Sequence, residues 1–247
     1  MQHSRFTTTV LGAPGALLVP VVAAFALACV PPSGAGAIQR DDGAGGTASL
    51  ATVSRSSASF LSPLEAELLV ELNRARTNPR AYAKYLEERL AWFDGKVMRE
   101  PGRRIAVETR EGAAAVREAI AVLRRMRPQP PVAVSRGMSA GARDHVRDQG
   151  RTGATGHTGR DGSGAAERVA RYGSWRESLS ENIAYGPPTA RDVIIGLIVD
   201  DGVPARGHRV NLFDPGIRVV GLSCGAHSRF RRMCVIVHAN GYAEDAR

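Results

Sequence analysis

Residues 217–242 read IRVVGLSCGAHSRFRRMCVIVHANGY, two apolar runs separated by a polar, arginine-rich turn. β-Branched residues dominate "IRVVGLSC" and "MCVIVHANGY", and short runs of that kind bounded by turn residues predict two neighbouring antiparallel strands. Each run carries one cysteine, Cys224 and Cys234. In an oxidising compartment the two could form a disulfide; as free thiols they would pack equally well in a core.

Upstream of these strands the pattern is helical. Ser62, Pro63 and Glu65 supply an N-cap, a first-turn proline and a capping-box glutamate, and Leu64, Leu68, Leu69 and Leu72 form one apolar stripe, which predicts a helix over 63–77. Asn78-Pro79 breaks it and starts a second helix through Tyr82, Tyr85, Leu86, Leu90 and Phe93. Residues 94–110 are polar and read as irregular. A third helix over 111–126 carries Val116, Ile120 and Leu123 and ends at "RPQPP". "VAV" (132–134) is a short strand or extended lead-in, and Ser135 caps a helix running to about Gln149. After a glycine-rich loop a further helix ends near Tyr172, and the segment through "ESLSENIAYGPP" (177–188) reads as irregular. Thr189 with Asp192 caps a helix bearing Val193, Ile194, Leu197 and Ile198. Helices come first and strands last, without regular alternation, so the fold class is α+β rather than a doubly wound sheet.

The chain of 247 residues, 43% hydrophobic, has room for one good-sized domain or two small ones. Its formal charge is +9. The basic residues are nearly all arginine, with Lys84 and Lys96 the only lysines, and aromatics make up 5%. Without aromatics interleaved among the cations to stack on bases, nucleic acid is not the expected partner. Arg5 and polar neighbours precede the apolar run "ALLVPVVAAFALA" (16–28), so residues 1–30 read as an export signal. Ala26-Leu27-Ala28 and Ala35-Gly36-Ala37 both fit a cleavage site. Cys29 raises a lipoprotein reading beside plain secretion and an uncleaved anchor. Localisation is expected to be exported, with membrane contact through the signal segment or a lipid at Cys29. Residues 31–59, rich in Gly, Ala and Ser, form a linker, and 60–247 form the folded domain.

Three motif readings fail. "GATGHTGRDGSG" (153–164) lacks the lysine and the strand-loop-helix context of a phosphate cradle. "GLSCG" (221–225) matches the hydrolase elbow around Ser223, but a strand-to-helix turn is not expected there. Neither HExxH nor CxxC occurs. What remains is a set of polar residues: His157, Glu181, Asp200, Asp201 and His208. Two acids close a helix at 200–201, where the helix dipole favours cations. A structural reading has Asp201 cap the next short helix while Asp200 pairs with Arg206 or Arg209.

The order of these residues resembles a known family. "LNRARTNP", "GHTGRDGS", "SENIAYG", "RGHRVNLFDP" and "VVGLSCG" are similar to motifs of the CAP superfamily (SCP/PR-1-like), in its bacterial exported form, over Ser62 to Tyr242. The resemblance implies an α-β-α sandwich with a central, mostly antiparallel sheet and a cleft. Two histidines and two acids surround that cleft in the family, and some members hold a divalent metal there. Carried onto this chain they are His157, Glu181, His208 and Asp200, with Asp201 as the fallback. Leu197 stands where the family has a tryptophan three residues before the second acid. Residues 94–127 match none of these motifs.

The expected function is therefore ligand binding at a His/acid cleft, the ligand a small molecule, a lipid, a protein or a divalent cation such as Zn2+. One alternative is a metal-assisted hydrolase acting on peptides or cell-envelope material, with Glu181 as the candidate catalytic base and His157 and His208 as metal ligands. Another is a cell-surface interaction module, for which the cluster would be irrelevant.

Overall fold

The computed structural model describes residues 6–11, 59–104 and 106–245. The apolar run 16–28, Cys29 and the linker through residue 58 lie outside the described residues. A first strand, β1 (Phe6–Leu11), is followed by α1 (Pro63–Thr77) and α2 (Pro79–Leu90). The capping box of α1 is formed: Ser62 N–H donates to Glu65 at 2.7 Å, and Glu65 N–H donates back to the Ser62 hydroxyl. Asn78 ends α1 and caps α2 through the Ala81 N–H.

Residues 94–110 are not wholly irregular. They contribute to a small antiparallel sheet of β2 (Phe93–Asp94), β3 (Val97–Met98) and β4 (Val107–Glu108), which leads into α3 (Ala113–Arg125). Two-residue strands are too short to show a period, which is why the sequence pattern misses them. Then come β5 (Ala133–Val134), α4 (Arg136–Thr152) and α5 (Ala165–Ala170). A second correction follows: Gly173–Tyr185, most of which reads as irregular, is the long strand β6. Its polar residues face both ways, with Glu181 and Asn182 buried on opposite sides, and a register shift between Arg176 and Leu179 breaks its alternation. Helices α6 (Ala190–Val199) and α7 (Gly207–Phe213) precede β7 (Val219–His227) and β8 (Arg231–Glu244).

The central sheet has the order β1-β6-β8-β7-β5, antiparallel at every junction except β5 with β7. Each face of the sheet builds its own core, because side chains alternate along a strand. Val220, Leu222, Cys234 and Ile236 pack under α1, α2, α3, α6 and α7, joined by Leu68, Leu72, Leu86 and Ile198. Met233, Val235, Val237 and Ile183 pack under α4 and α5 with Met138, Val146 and Val169. The result is an α-β-α sandwich, in which each fully buried aliphatic side chain contributes roughly 1.5–3 kcal/mol. Cys224 and Cys234, paired residues of β7 and β8, are joined as a disulfide. The glycines of "GLSCG" have a packing reason: a side chain at Gly221 would collide with the backbone of Met138 on α4. Ser223 accordingly sits inside a continuous strand, not at an elbow. No helix among the described residues is long and apolar enough to cross a membrane.

Candidate functional site

The glycine-rich loop is held by one of its own residues. Gly156, at φ +112°, a conformation that favours glycine, donates its N–H to the Tyr185 hydroxyl at 3.0 Å. Its carbonyl accepts from Nε2 of His145 and from Nε2 of Gln149, at 2.9 and 2.8 Å. Gln149 in turn accepts from Tyr185 at 2.6 Å. This clasp ties the loop to α4 and β6 and places the next residue, His157, against the sheet.

His157 Nδ1 donates to Glu181 Oε1 at 2.9 Å, and Arg168 Nη2 donates to Glu181 Oε2 at 2.7 Å. The other guanidinium nitrogen of Arg168, Nη1, binds the carbonyls of His157 and Ser163. Arg168 is 2% exposed and Glu181 1%, so this is a buried ion pair in which each Glu181 oxygen accepts one hydrogen bond and the Arg168 Nε is left without a partner. Burial alone would raise the Glu181 pKa, but the His157 hydrogen bond and the charge of Arg168 beside it outweigh burial and hold the carboxyl below its ordinary value. Burial lowers the pKa of His145. Sequence reasoning missed Arg168, Tyr185 and Gln149. The available signal for Arg168 was its position three residues after Ala165, on the buried stripe of a short helix.

The second histidine lies on the other side of β6. Asn182, the residue after Glu181, donates to the His208 carbonyl at 3.0 Å and accepts from Asn211 at 2.8 Å. His208 is held twice by Asp200: its backbone N–H reaches Oδ2 at 3.0 Å and its ring Nδ1 lies 2.5 Å from Oδ1. Asp200 ends α6 in the left-handed conformation, φ 53° and ψ 47°, which turns its carboxylate from the end of α6 to the first turn of α7. The dipole conflict expected at 200–201 is thereby removed. The shorter acid reaches the histidine, while Leu197 is buried in the core.

Asp201 does not join the cluster. Its carboxylate accepts from the N–H groups of Arg110 and Glu111, so it caps the approach to α3 and not the short helix that follows it. Nor does the Asp200 carboxylate pair with an arginine; Arg206 binds the Asp200 carbonyl and the Glu111 carboxylate, and Arg209 binds Glu118. The four residues thus form two pairs, His157 with Glu181 and His208 with Asp200, on opposite faces of β6. None of them lines the cavities of about 680, 700 and 1010 Å³ found beside α6, α1 and β7.

Residues 117–238 match the sequence model of the CAP family, the cysteine-rich secretory protein family. The chain carries a CAP domain. The matched region begins inside α3, so part of the 94–127 segment belongs to it, and it is narrower than the span of motifs from Ser62 to Tyr242. No curated protein matches the sequence. Among solved structures, the chain is similar to a 1.5 Å crystal structure of an extracellular protein containing a SCP domain from Bacillus anthracis str. Ames. The identity is 18% and the TM-score 0.37, over 45% of this chain and 34% of that one, so this chain spans about a third of its length.

The metal that the CAP resemblance implies can be tested against these side chains. His157 has its Nδ1 tied to a carboxylate and its Nε2 buried with no hydrogen-bond partner, the orientation used by metal-binding imidazoles. The carboxylates do not fit. Both oxygens of Glu181 are engaged by His157 and Arg168, and both oxygens of Asp200 by His208. Among the described residues, no three His, Cys, Asp or Glu side chains converge as a metal-binding group. A divalent ion at Glu181 would also have to displace or face the buried Arg168 guanidinium. The set as arranged does not fit a divalent cation.

Proposed function

We propose that this is an exported CAP-domain protein that binds a ligand beside the two histidine pairs of β6 and does not hydrolyse it. The observation that carries this reading is the state of Glu181. Each of its oxygens already accepts a hydrogen bond and its pKa is held low, so it is a poor general base, while the Nε2 of His157 is left buried and without a partner. That nitrogen has capacity to spare for a ligand, as acceptor while the ring is neutral and as donor once it is protonated.

Removal of an export leader would fit the same reading. Strand β1 pairs with β6 directly opposite the site, Thr9 with Glu181 and Thr8 with Asn182, and it lies within the stretch read as an export leader. Processing at Ala28 would remove β1 and uncover the β6 edge next to both pairs.

The test is organic extraction of the purified, processed protein and of its His157→Ala variant, followed by mass spectrometry, with zinc titrated calorimetrically into each. A small molecule that co-purifies with the first and is lost from the second, with no zinc binding that depends on His157, is the expected result. Stoichiometric zinc binding abolished by the substitution, together with zinc-dependent cleavage of peptides, would replace this reading with the metal-assisted hydrolase.

A further inference from the structure

One outward face of α4 carries Arg136, Arg143, Arg147 and Arg151. At 3.6 residues per turn these four fall within a sector of about 80°, and the last three follow one another at a rise of about 6 Å. All four line the groove of about 1010 Å³ between α4, the start of α1 and β7. None makes an ion pair among the described residues, unlike Arg89, Arg168, Arg206 and Arg209. Like charges one helical turn apart repel and weaken a helix, so the row is unfavourable unless something outside the chain offsets it.

The acids nearby form no ion pair with this row: Glu244 caps the start of α4 through the Ser135 hydroxyl and the N–H groups of Arg136 and Gly137. Glu65, the acid that lines the groove, accepts from the N–H groups of Ser62 and Cys224 and is turned into the fold. Asp144 and Asp148 sit on the adjacent sector of α4 and serve Arg171, Tyr172 and the Arg160 backbone. The chain also enters the domain at this face: the Arg136 guanidinium stacks over the ring of Phe60 at 4.6 Å. The stretch from Cys29 to Phe60 joins this face to the apolar run 16–28, so a membrane-held leader or a lipid at Cys29 would keep it near a bilayer.

We propose that the arginine face of α4 docks on an anionic membrane surface, its guanidinium groups against phospholipid phosphates. The proposal goes beyond ligand binding at β6 and uses none of that site's residues. Arginine suits the role because its planar fork matches phosphate geometry.

The experiment is co-flotation of the full chain, in a Cys29→Ser background that removes any acyl anchor, with vesicles of phosphatidylcholine alone or mixed equally with phosphatidylglycerol. The quantity read is the ratio of partition onto anionic over neutral vesicles, which cancels the apolar run 16–28. The charge reversals R143E/R147E/R151E are expected to lower that ratio by more than about a hundredfold, and the neutral pair R147Q/R151Q about thirtyfold. The exposed set R80E/R99E/R117E, which carries the same change in net charge elsewhere on the surface, is expected to lower it much less. High salt should erase the wild-type preference. An equal loss in both reversal sets, an absent anionic preference in the wild type, or tighter binding to duplex DNA than to the anionic vesicles would each overturn the proposal. Circular dichroism shows whether the variants are folded, and the R147Q/R151Q pair, which leaves two uncharged groups at exposed positions, reads the effect if the reversals are not.

Discussion

Asp200 holds His208 at two points, the backbone N–H at 3.0 Å and the ring Nδ1 at 2.5 Å, with both side chains fully buried. The double contact fixes the first turn of α7 and the orientation of the imidazole together. Asparagine tolerates the left-handed backbone that Asp200 adopts, so Asp200→Asn isolates the loss of charge from backbone strain. The substitution is expected to cost about 1–3 kcal/mol in urea denaturation, with a change in the His208 ring signals by NMR. A variant as stable as the parent would show that the charge of this contact contributes nothing.

Arg168→Met leaves Glu181 buried without its cation. Removing one partner of a buried ion pair costs about 3–5 kcal/mol. In the parent, the depressed Glu181 pKa contributes stability that is present above the ordinary glutamate range and lost as pH falls through the folded value. Without Arg168 the desolvated carboxyl prefers its proton. The stability gap between parent and variant should therefore be widest near neutrality, begin to close above the ordinary glutamate range as the variant's carboxyl takes its proton, and go on closing as the pH falls through the depressed value of the parent. Denaturant titrations at several pH values check this; a gap independent of pH would show that the guanidinium acts through packing alone.

Buried His238 has its pKa pushed down to about 3, first by desolvation and then by the charges of Arg76 and His208. The unfolded chain binds a proton here below about pH 6.5, while the folded chain stays neutral until about pH 3. Stability from this group is thus complete above the unfolded value and falls by about 1.4 kcal/mol per pH unit between the two. His238→Leu should flatten the stability profile across that window, whatever its effect on the absolute value.

Reducing the Cys224–Cys234 bond, which closes a loop of sequence separation 10, should cost about 2–3 kcal/mol. The double variant Cys224→Ser/Cys234→Ser should match the reduced parent and show no response to dithiothreitol. A parent whose thermal midpoint is the same with and without reductant would contradict this.

What was legible in the sequence was what local chemistry determines. Ser62 and Glu65 announce the start of α1, Asn78 and Pro79 the junction with α2, and the apolar runs of β7 and β8 the centre of the sheet. Strand β6 was hidden because its residues satisfy two faces at once: Glu181 answers Arg168 while its neighbour Asn182 answers α7. Period-2 alternation marks a strand with one wet face, and β6 has none along 179–185, where every residue is buried. The choice between Asp200 and Asp201 could not be made from spacing either, since it depends on the left-handed turn at Asp200. Arg168 looks like a surface residue until the loop that folds over it is in place. The four residues of the candidate site were named from motif order, but their division into two pairs follows from the direction in which successive side chains leave one strand.

The exchange between the α3 approach and the loop after α6 runs both ways. Asp201 accepts from the amides of Arg110 and Glu111, and Glu111 accepts from the amide of Gly202 and from Arg206. Neither segment can lift while the other stays in place, so protection of these three amides should be lost in a single opening event, with one shared rate of hydrogen exchange. The segment ahead of α3, which the family motifs do not reach, is by this bond pattern coupled in its motion to the loop that delivers His208.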